Sequence, residues 1–547
     1  MRNVMVQFFT FHFSLFTFHL SLFTFHLSLF TLLASSFVLS SCNDWLDVKP
    51  NNEQVTDDYW QSKEDVEAVI ASGYYYMRTC VPNYIKWGEL RGGTFYSSNA
   101  ADNKLQDFNL TPEYALCDYS SVYKVINMAN SVINYAPSVK DRDNTYYDAV
   151  MNSHLCEAYF QRAYNYLILA KNYKEVPLIL KAYVDDNESF DIAKTTEDSI
   201  VMQVKQDCLT ALGTGAAKGT YEVDWQTKGR VTKWALYALM ADACLWSEDY
   251  DECIKYCDLI LNATDNFRPA FMKNTNDWYN IFSAGNTNES IFELNWSYAL
   301  NQETNNFASL WSQSSGSRLR FTNVATEKLK RETQELIDNG MVADGRMGRM
   351  LLSTYVPESG TLIGWSTSNT PYMWKYNGTD VQDITGGVRA YQDANFIIYR
   401  VAEIILIKAQ AEIMKGNYRE AVELINRICN RAGLGYFNDI DTNAEGADIQ
   451  ISQLDEFTLL EEVLNQKQME LVGEGKRWYD LLWFGRIGNN KYRQQFIDAV
   501  VEGNQTTNQS WVQSVLQDKN AWYMPLPQAD IDHNSLLVQN PYYASGN

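Results

Sequence analysis

Histidine is scarce in this 547-residue chain: there are five, and His12, His19 and His26 fall near its start. Beyond them only His154 and His533 remain, so no His-Glu-x-x-His zinc helix can be assembled. No pair of short-spaced cysteine couplets occurs either, so a cysteine zinc site is not expected. Positive charge is also short: 45 Lys and Arg against 67 Asp and Glu leave a net charge of -22. Such a field repels nucleic acid and anionic headgroups and is compatible with a neutral or cationic ligand. A G-x-S-x-G nucleophile elbow is absent. The stretch Gly213–Thr220 has glycines and a lysine, but the lysine is wrongly spaced for a phosphate loop and no strand-to-helix context surrounds it. The expectation is a chain with no cofactor and no metal.

What is present begins with a greasy leader that ends in Leu39-Ser40-Ser41-Cys42. Small side chains followed by one cysteine are the pattern of a bacterial lipoprotein signal. A peptidase needs small residues before the cut, and the Cys42 thiol is the nucleophile that carries the lipid. Within the leader Ser14–Leu20 is repeated at Ser21–Leu27, which places the three histidines seven residues apart. A retained membrane span is the alternative, since the run exceeds the roughly 20 residues needed. Three His and many Ser and Thr make a poor lipid-facing span. Residues 1–41 are therefore read as a signal peptide, 42–62 as a lipidated arm and 63–547 as a single domain.

Eight cysteines remain after Cys42: Cys80, Cys117, Cys156, Cys208, Cys244, Cys253, Cys257 and Cys429. A chain this large needs no disulfide staples. Packing explains Cys244, Cys253 and Cys257, which fall on the inward face of two amphipathic segments.

Amphipathic periodicity predicts helices at about 63–78, 118–136, 146–173, 197–212, 231–247, 250–262, 400–415, 418–432 and 455–473. Strand signals are few and short, as at Glu175–Leu180 and Ser290–Trp296. The fold class is mainly α. Pairs at 231–262 and 400–433 look like tetratricopeptide units, with Ala241, Cys253, Ala409 and Ala421 at the crossings. A further pair is placed near 146–180. Between them lie long stretches rich in Asn, Ser, Gly and aromatics at about 80–117, 263–325 and 353–396, lengths that mark functional insertions.

Carboxylates Glu461, Glu462, Glu470, Glu474 and Asp480 could supply a glycosidase pair. Their neighbours Lys467, Lys476 and Arg477 make ion pairing and solvation the better account. The aromatic insertions are the stronger lead, because Trp and Tyr rings cover the apolar face of a sugar while amides bond its hydroxyls. Candidate glycan-binding residues are Trp87, Asn99 and Asn103 in the first insertion, Trp278, Trp296, Tyr298 and Trp311 in the second, and Trp365 and Trp374 in the third.

Ordered segments along the chain carry a resemblance. They are Asp44-Trp45-Leu46-Asp47-Val48-Lys49-Pro50, Glu157-Ala158-Tyr159-Phe160-Gln161-Arg162-Ala163 leading to Val176-Pro177-Leu178, and Lys233-Trp234-Ala235. Further on come Arg400-Val401-Ala402-Glu403, Glu474-Gly475-Lys476-Arg477-Trp478-Tyr479-Asp480-Leu481, Pro525-Leu526-Pro527 and Gln539-Asn540-Pro541. Together they resemble the SusD/RagB family of outer-membrane lipoproteins. The resemblance implies four tetratricopeptide-like pairs and a non-enzymatic, lipid-anchored subunit facing the cell exterior. It implies an oligosaccharide or polysaccharide ligand, and a SusC-like TonB-dependent transporter as partner. Some relatives take peptides, which keeps a peptide ligand as the alternative, with a glycoside hydrolase behind it. Lys174-Glu175 stands where the family usually has a glycine-acid turn, and Gln466-Lys467-Gln468 where an acidic–basic pair is common.

Overall fold

Ser62 opens the first long helix. Its hydroxyl accepts the Asp65 N–H while the Asp65 carboxylate accepts the Ser62 N–H at 2.7 Å, a reciprocal cap that fixes the start of α1, Lys63–Glu89. Sequence periodicity ends this helix at 78, yet it runs through Pro82. Pro82 offers no N–H to the Arg78 carbonyl. That carbonyl accepts the Asn306 side-chain amide at 3.1 Å instead, so a distant loop completes α1 and is pinned against it. The first insertion therefore begins after Glu89, and Trp87 belongs to the helix.

The protein is described by a computed structural model at residues 59–97, 99–184, 189–311, 319–338, 354–355, 372–373, 375–379, 389–504 and 508–544. Cys42 and the segment Asp44–Pro50 lie outside them. The long helices follow as α2 (Ser120–Val139), α3 (Asp148–Tyr173), α4 (Glu197–Gly213), α5 (Lys233–Trp246) and α6 (Tyr250–Leu261). After the second and third insertions come α7 (Val401–Met414), α8 (Tyr418–Ala432) and α9 (Glu456–Glu470). Each packs on the next in this order, and α6 packs directly on α7. Helix pairs separated by about 140 residues of chain thus stack as neighbours.

The stretch 146–180 is not a pair. It holds the single helix α3, whose partners are α2 and α4. No glycine or proline interrupts Asp148–Tyr173, and packing from both sides buries it almost all round. In the other pairs the small residues sit where close approach requires them: Ala241, Cys253, Ala409 and Ala421 are fully buried. Gly416 (φ 78°) turns α7 into α8, and Gly433 (φ 82°) ends α8 in the left-handed conformation. All eight described cysteines are buried.

Strands are short and tie the insertions together. Phe95–Ser97 (β1) pairs antiparallel with Leu319–Phe321 (β3), joining the first insertion to the second. Ser290–Leu294 (β2) pairs antiparallel with Phe396–Arg400 (β4), with a register shift in β2. Gly213–Thr220 ends α4, so it meets the C-terminal end of a helix, the wrong pole for a phosphate.

The family-like motifs hold this scaffold together through buried charge. From α3, Glu157 grips Arg230 through two oxygens at 2.7 and 3.0 Å, and Arg162 binds Asp207 at 2.7 and 2.8 Å. Gln161 donates to the Ile70 carbonyl at 3.1 Å across a contact left open by Gly73. Below β2 and β4 lies a larger knot. Arg400 contacts Glu289 (3.1 Å), Glu470 (2.7 Å) and Glu474 (2.9 Å). Arg431 contacts Glu289 (2.5 Å) and Glu470 (2.7 Å), and Lys375 contacts Glu474 (2.9 Å). Burial would raise the Glu474 pKa, but Arg400 and Lys375 outweigh it and hold the carboxyl below its ordinary range. The carboxylates flagged for catalysis at Glu470 and Glu474 are thus consumed by ion pairing. They are buried in it, without the solvation expected of them.

Candidate functional site

One face of α1 carries Glu67, Ile70, Ala71, Tyr74, Tyr75 and Arg78, spaced so that all look the same way. This face forms one wall of an open cleft of about 630 Å³. The short helix Asp224–Gly229 supplies Trp225 and Gln226 opposite, and the loop after β2 supplies Asn295 to Ser297 and Glu303. Arg389, Asp393 and Asn395, just before β4, close the far end. Glycine at 229 has a specific use here. A Cβ would stand 2.3 Å from the Asn295 amide nitrogen, which donates to the Trp225 carbonyl at 3.2 Å and holds the two walls together.

Aromatic rings dominate the mouth. Tyr75 is 54% and Trp225 45% exposed, while Trp296 lies deeper at 9%. The Arg78 guanidinium sits over both Tyr75 (5.9 Å) and Trp296 (5.7 Å). Glu303 holds it there at 2.5 and 3.3 Å, and the Asn295 carbonyl accepts from it at 3.2 Å. Arg230 is fixed by Glu157 and by Glu67 at 2.8 Å. Arg389 donates to Asp393 (3.1 Å) and to the Phe282 and Ser283 carbonyls (2.9 and 2.6 Å). Asn395 accepts the Trp296 N–H at 3.2 Å and donates to Glu293 at 2.8 Å. Burial pushes the Glu293 carboxyl above its ordinary range. Tyr74 is pushed up by burial and by the Glu157 charge, so it stays a hydrogen-bond donor, at 2.5 Å from Glu157. The side-chain oxygens of Asn286 and Asn295 and the Nε of Arg389 are buried without a protein partner. The cleft therefore offers flat apolar rings, neutral hydrogen-bonding groups and charges that already cancel. Each of its lining carboxylates, Glu67, Glu303 and Asp393, holds an arginine.

A second cavity of about 730 Å³ lies beside Tyr76, Tyr119, Tyr123 and Asp530. Tyr76 meets Tyr75 edge-on at 5.6 Å, so neighbouring residues of α1 serve the two cavities.

Of the aromatics flagged from sequence, Trp296 lines the cleft. Tyr298 follows it in the same loop, donating its N–H to Asp393 at 3.4 Å and stacking on the half-exposed Tyr391 at 3.6 Å. Trp87, Trp278 and Trp311 are corrected: all three are fully buried and present no face to a ligand. Trp87 donates to the Leu116 carbonyl at 2.7 Å, Trp278 to Glu470 at 3.0 Å, and Trp311 packs edge-on against Phe95. Among the described tryptophans only Trp225 and Trp511 are exposed, so the high aromatic content mostly builds core. Asn99 caps the short helix Ala100–Gln106, accepting the Ala101 N–H at 2.8 Å, and Asn103 sits within that helix; neither lines the cleft. Trp365 and Trp374 lie outside the described residues. Sequence reasoning missed Tyr75, Arg78, Trp225, Arg389 and Asn395. The helical stripe from Glu67 to Arg78 was a signal available for the first two.

Residues 353–543 match the family profile described as SusD family, and residues 44–245 match the one described as starch-binding associating with outer membrane. Curated relatives include SusD-like protein P2 of Formosa agariphila, 22% identical over 92% of this chain and 97% of its own length. SusD-like protein P38 of the same organism is 23% identical over 81% of this chain and 88% of its own. Among solved structures, a SusD superfamily protein of Bacteroides vulgatus superposes with a TM-score of 0.68 at 19% identity, covering 88% of this chain and 99% of that one. A structure titled laminarin-binding SusD-like protein gives 0.64 at 18% identity, covering 88% of this chain and all of that one.

Proposed function

The chain belongs to the SusD/RagB family, and from that premise we propose that it is a cell-surface glycan-binding subunit that hands its ligand to a SusC-like TonB-dependent transporter of the outer membrane. The observation that carries the glycan reading is the cleft walled by Tyr75, Trp225 and Trp296 with amides between them. Rings of this kind are rigid, so they cover the C–H faces of a sugar at little entropic cost. The relative titled as laminarin-binding supports the same ligand class. The role in this reading is binding without catalysis; it is supported by the described lining carboxylates Glu67, Glu303 and Asp393, each of which is engaged with an arginine. Cys42 carries the lipid anchor in this reading, with the mature domain on the outer face of the cell. Membrane attachment through several acyl chains at about 0.8 kcal/mol per buried CH₂ would be durable.

The test is calorimetric titration of a soluble form beginning near Asp44 with an oligosaccharide panel. At least one sugar should bind and none should be cleaved. Trp225→Ala should weaken that sugar about tenfold, a loss of the size expected for one stacking ring, with an unchanged melting temperature. Release of new reducing ends by the pure protein would overturn the binding role, and binding of peptides alone would move the ligand to that class.

A further inference from the structure

On the reading of the cleft as a glycan site, we infer that its ligand is an uncharged glycan, one without uronate carboxylates or sulfate esters. The charges of the lining carry this. Three cations face the cleft, Arg78, Arg230 and Arg389, and three carboxylates do, Glu67, Glu303 and Asp393. Every arginine has a carboxylate of the lining as partner, at 2.5 Å for Arg78–Glu303, 2.8 Å for Arg230–Glu67 and 3.1 Å for Arg389–Asp393, and Arg230 is held by Glu157 as well. Arg78 also donates to the Asn295 carbonyl, Arg230 to Glu157, and Arg389 to the Phe282 and Ser283 carbonyls.

An anionic sugar that takes the guanidinium of Arg78 or Arg230 would have to draw it away from its carboxylate. The abandoned carboxylate would then lie beside a second anion in a partly desolvated cleft, which costs more than the new pair returns. The chain's overall charge of -22 opposes the approach of the same ligand. A neutral sugar meets no such barrier. Its hydroxyls can bond the neutral amide side chains of the lining, Asn286 and Asn295 among them. Arg78 takes part as a positioning residue, holding Tyr75 and Trp296 from a guanidinium that Glu303 keeps neutralised.

The experiment titrates the soluble protein with neutral oligosaccharides (fragments of β-glucan, α-glucan, xylan and mannan) and anionic ones (oligogalacturonate, alginate and sulfated galactan fragments). Each is measured at about 50 mM and about 300 mM NaCl, which brackets the range over which surface charge is screened. The expected result is binding by a neutral sugar whose affinity changes less than about twofold with salt, and no anionic sugar within about tenfold of it. Tightest binding by an anionic sugar, weakening as salt rises, would overturn the inference and leave the glycan site standing. Silence of both sugar sets would overturn the glycan site itself. A Glu303→Gln variant sharpens the test, because Glu303 lies at the rim and its loss leaves Arg78 unneutralised. In that variant the affinity for oligogalacturonate should rise about fivefold or more relative to that for the neutral ligand. Equal oligogalacturonate affinity in variant and parent would count against the charge argument.

Discussion

The knot below β4 and the cleft beside α1 contain the same ingredients. The knot has Arg400, Arg431 and Lys375 against Glu289, Glu470 and Glu474, and the cleft lining has Arg78, Arg230 and Arg389 against Glu67, Glu303 and Asp393. In both, every one of these cations has a carboxylate partner. They differ in water. No side chain of the knot is more than 2% exposed, whereas Arg78 and Glu303 are 21% and 37% exposed and Glu67 is 50%. Buried ions cannot relax when a partner is lost, so the knot fixes how β4, α8 and the Glu470–Glu474 turn meet. Ions at a rim are shared with solvent, so the cleft can trade contacts with a ligand. Residue type does not separate scaffold from site here; desolvation does. This explains why the segments that identify the family, Arg400 and Glu474–Leu481 among them, lie in the scaffold and not in the cleft.

Removing one cation from each region tests that contrast most severely. Arg400→Met leaves Glu470 and Glu474 short of charge inside the core and should cost about 3–5 kcal/mol, read as a large fall in the urea midpoint or loss of soluble protein. Arg78→Met at the rim should cost less than about 1 kcal/mol, the ordinary range for exposed pairs. Similar losses for the two variants would break the comparison.

The knot also explains a titration. Its three cations are matched by three carboxylates, and Glu89 is a fourth carboxylate packed beside them, bonded to the Gly475 N–H at 2.8 Å. With no cation left for it, burial pushes Glu89 up to about 8. Between its unfolded pKa and about 8 the folded state holds a proton that the unfolded state has released, so stability from this group is full below about pH 4.5 and falls as pH rises to about 8. Lys375 and Glu474 are the nearest charges, acting in opposite directions. Glu89→Gln should therefore flatten the loss of stability across that interval, measured as urea midpoints from pH 5 to about pH 8.5. An unchanged slope would mean that Glu89 is ionised and that the knot holds a spare positive charge.

Much of the scaffold was legible in the sequence. The helices at 148–173, 197–213, 250–261 and 418–432 fall within a residue or two of where apolar periodicity puts them, and Ala409, Ala421 and Gly433 do what their sizes suggest. These features are local. The extension of α1 through Pro82 was not legible, because it depends on an amide from Asn306. The site was legible only in part. Trp296 could be named, but Trp87 and Trp278 have the same composition around them and are core. What separates Trp278 is a bond to Glu470, 192 residues away. Trp225 and Arg389 come from segments with no mark of their own, and only the fold brings them to Tyr75.

A small effect is also expected on the scaffold side, at the turn that leaves α3. Lys174 has φ 67° and ψ -58°, and the Glu175 N–H donates to the Tyr173 carbonyl at 2.8 Å. That is the strained, positive-φ γ-turn, in which a Cβ is crowded by the backbone. Glycine at this position would meet no such crowding. Lysine recovers a little, since its ammonium lies over the Tyr523 ring at 5.8 Å and near the negative end of α3. Lys174→Gly should nevertheless raise stability by about 1 kcal/mol, while Lys174→Ala, which keeps the Cβ and loses the cation, should give no gain. The turn lies on α3 and touches no lining residue of the cleft, so neither variant should change ligand affinity. Equal stability for the glycine and alanine variants would show that the backbone here carries no strain, and an altered affinity would show that scaffold and cleft are not separable at this point.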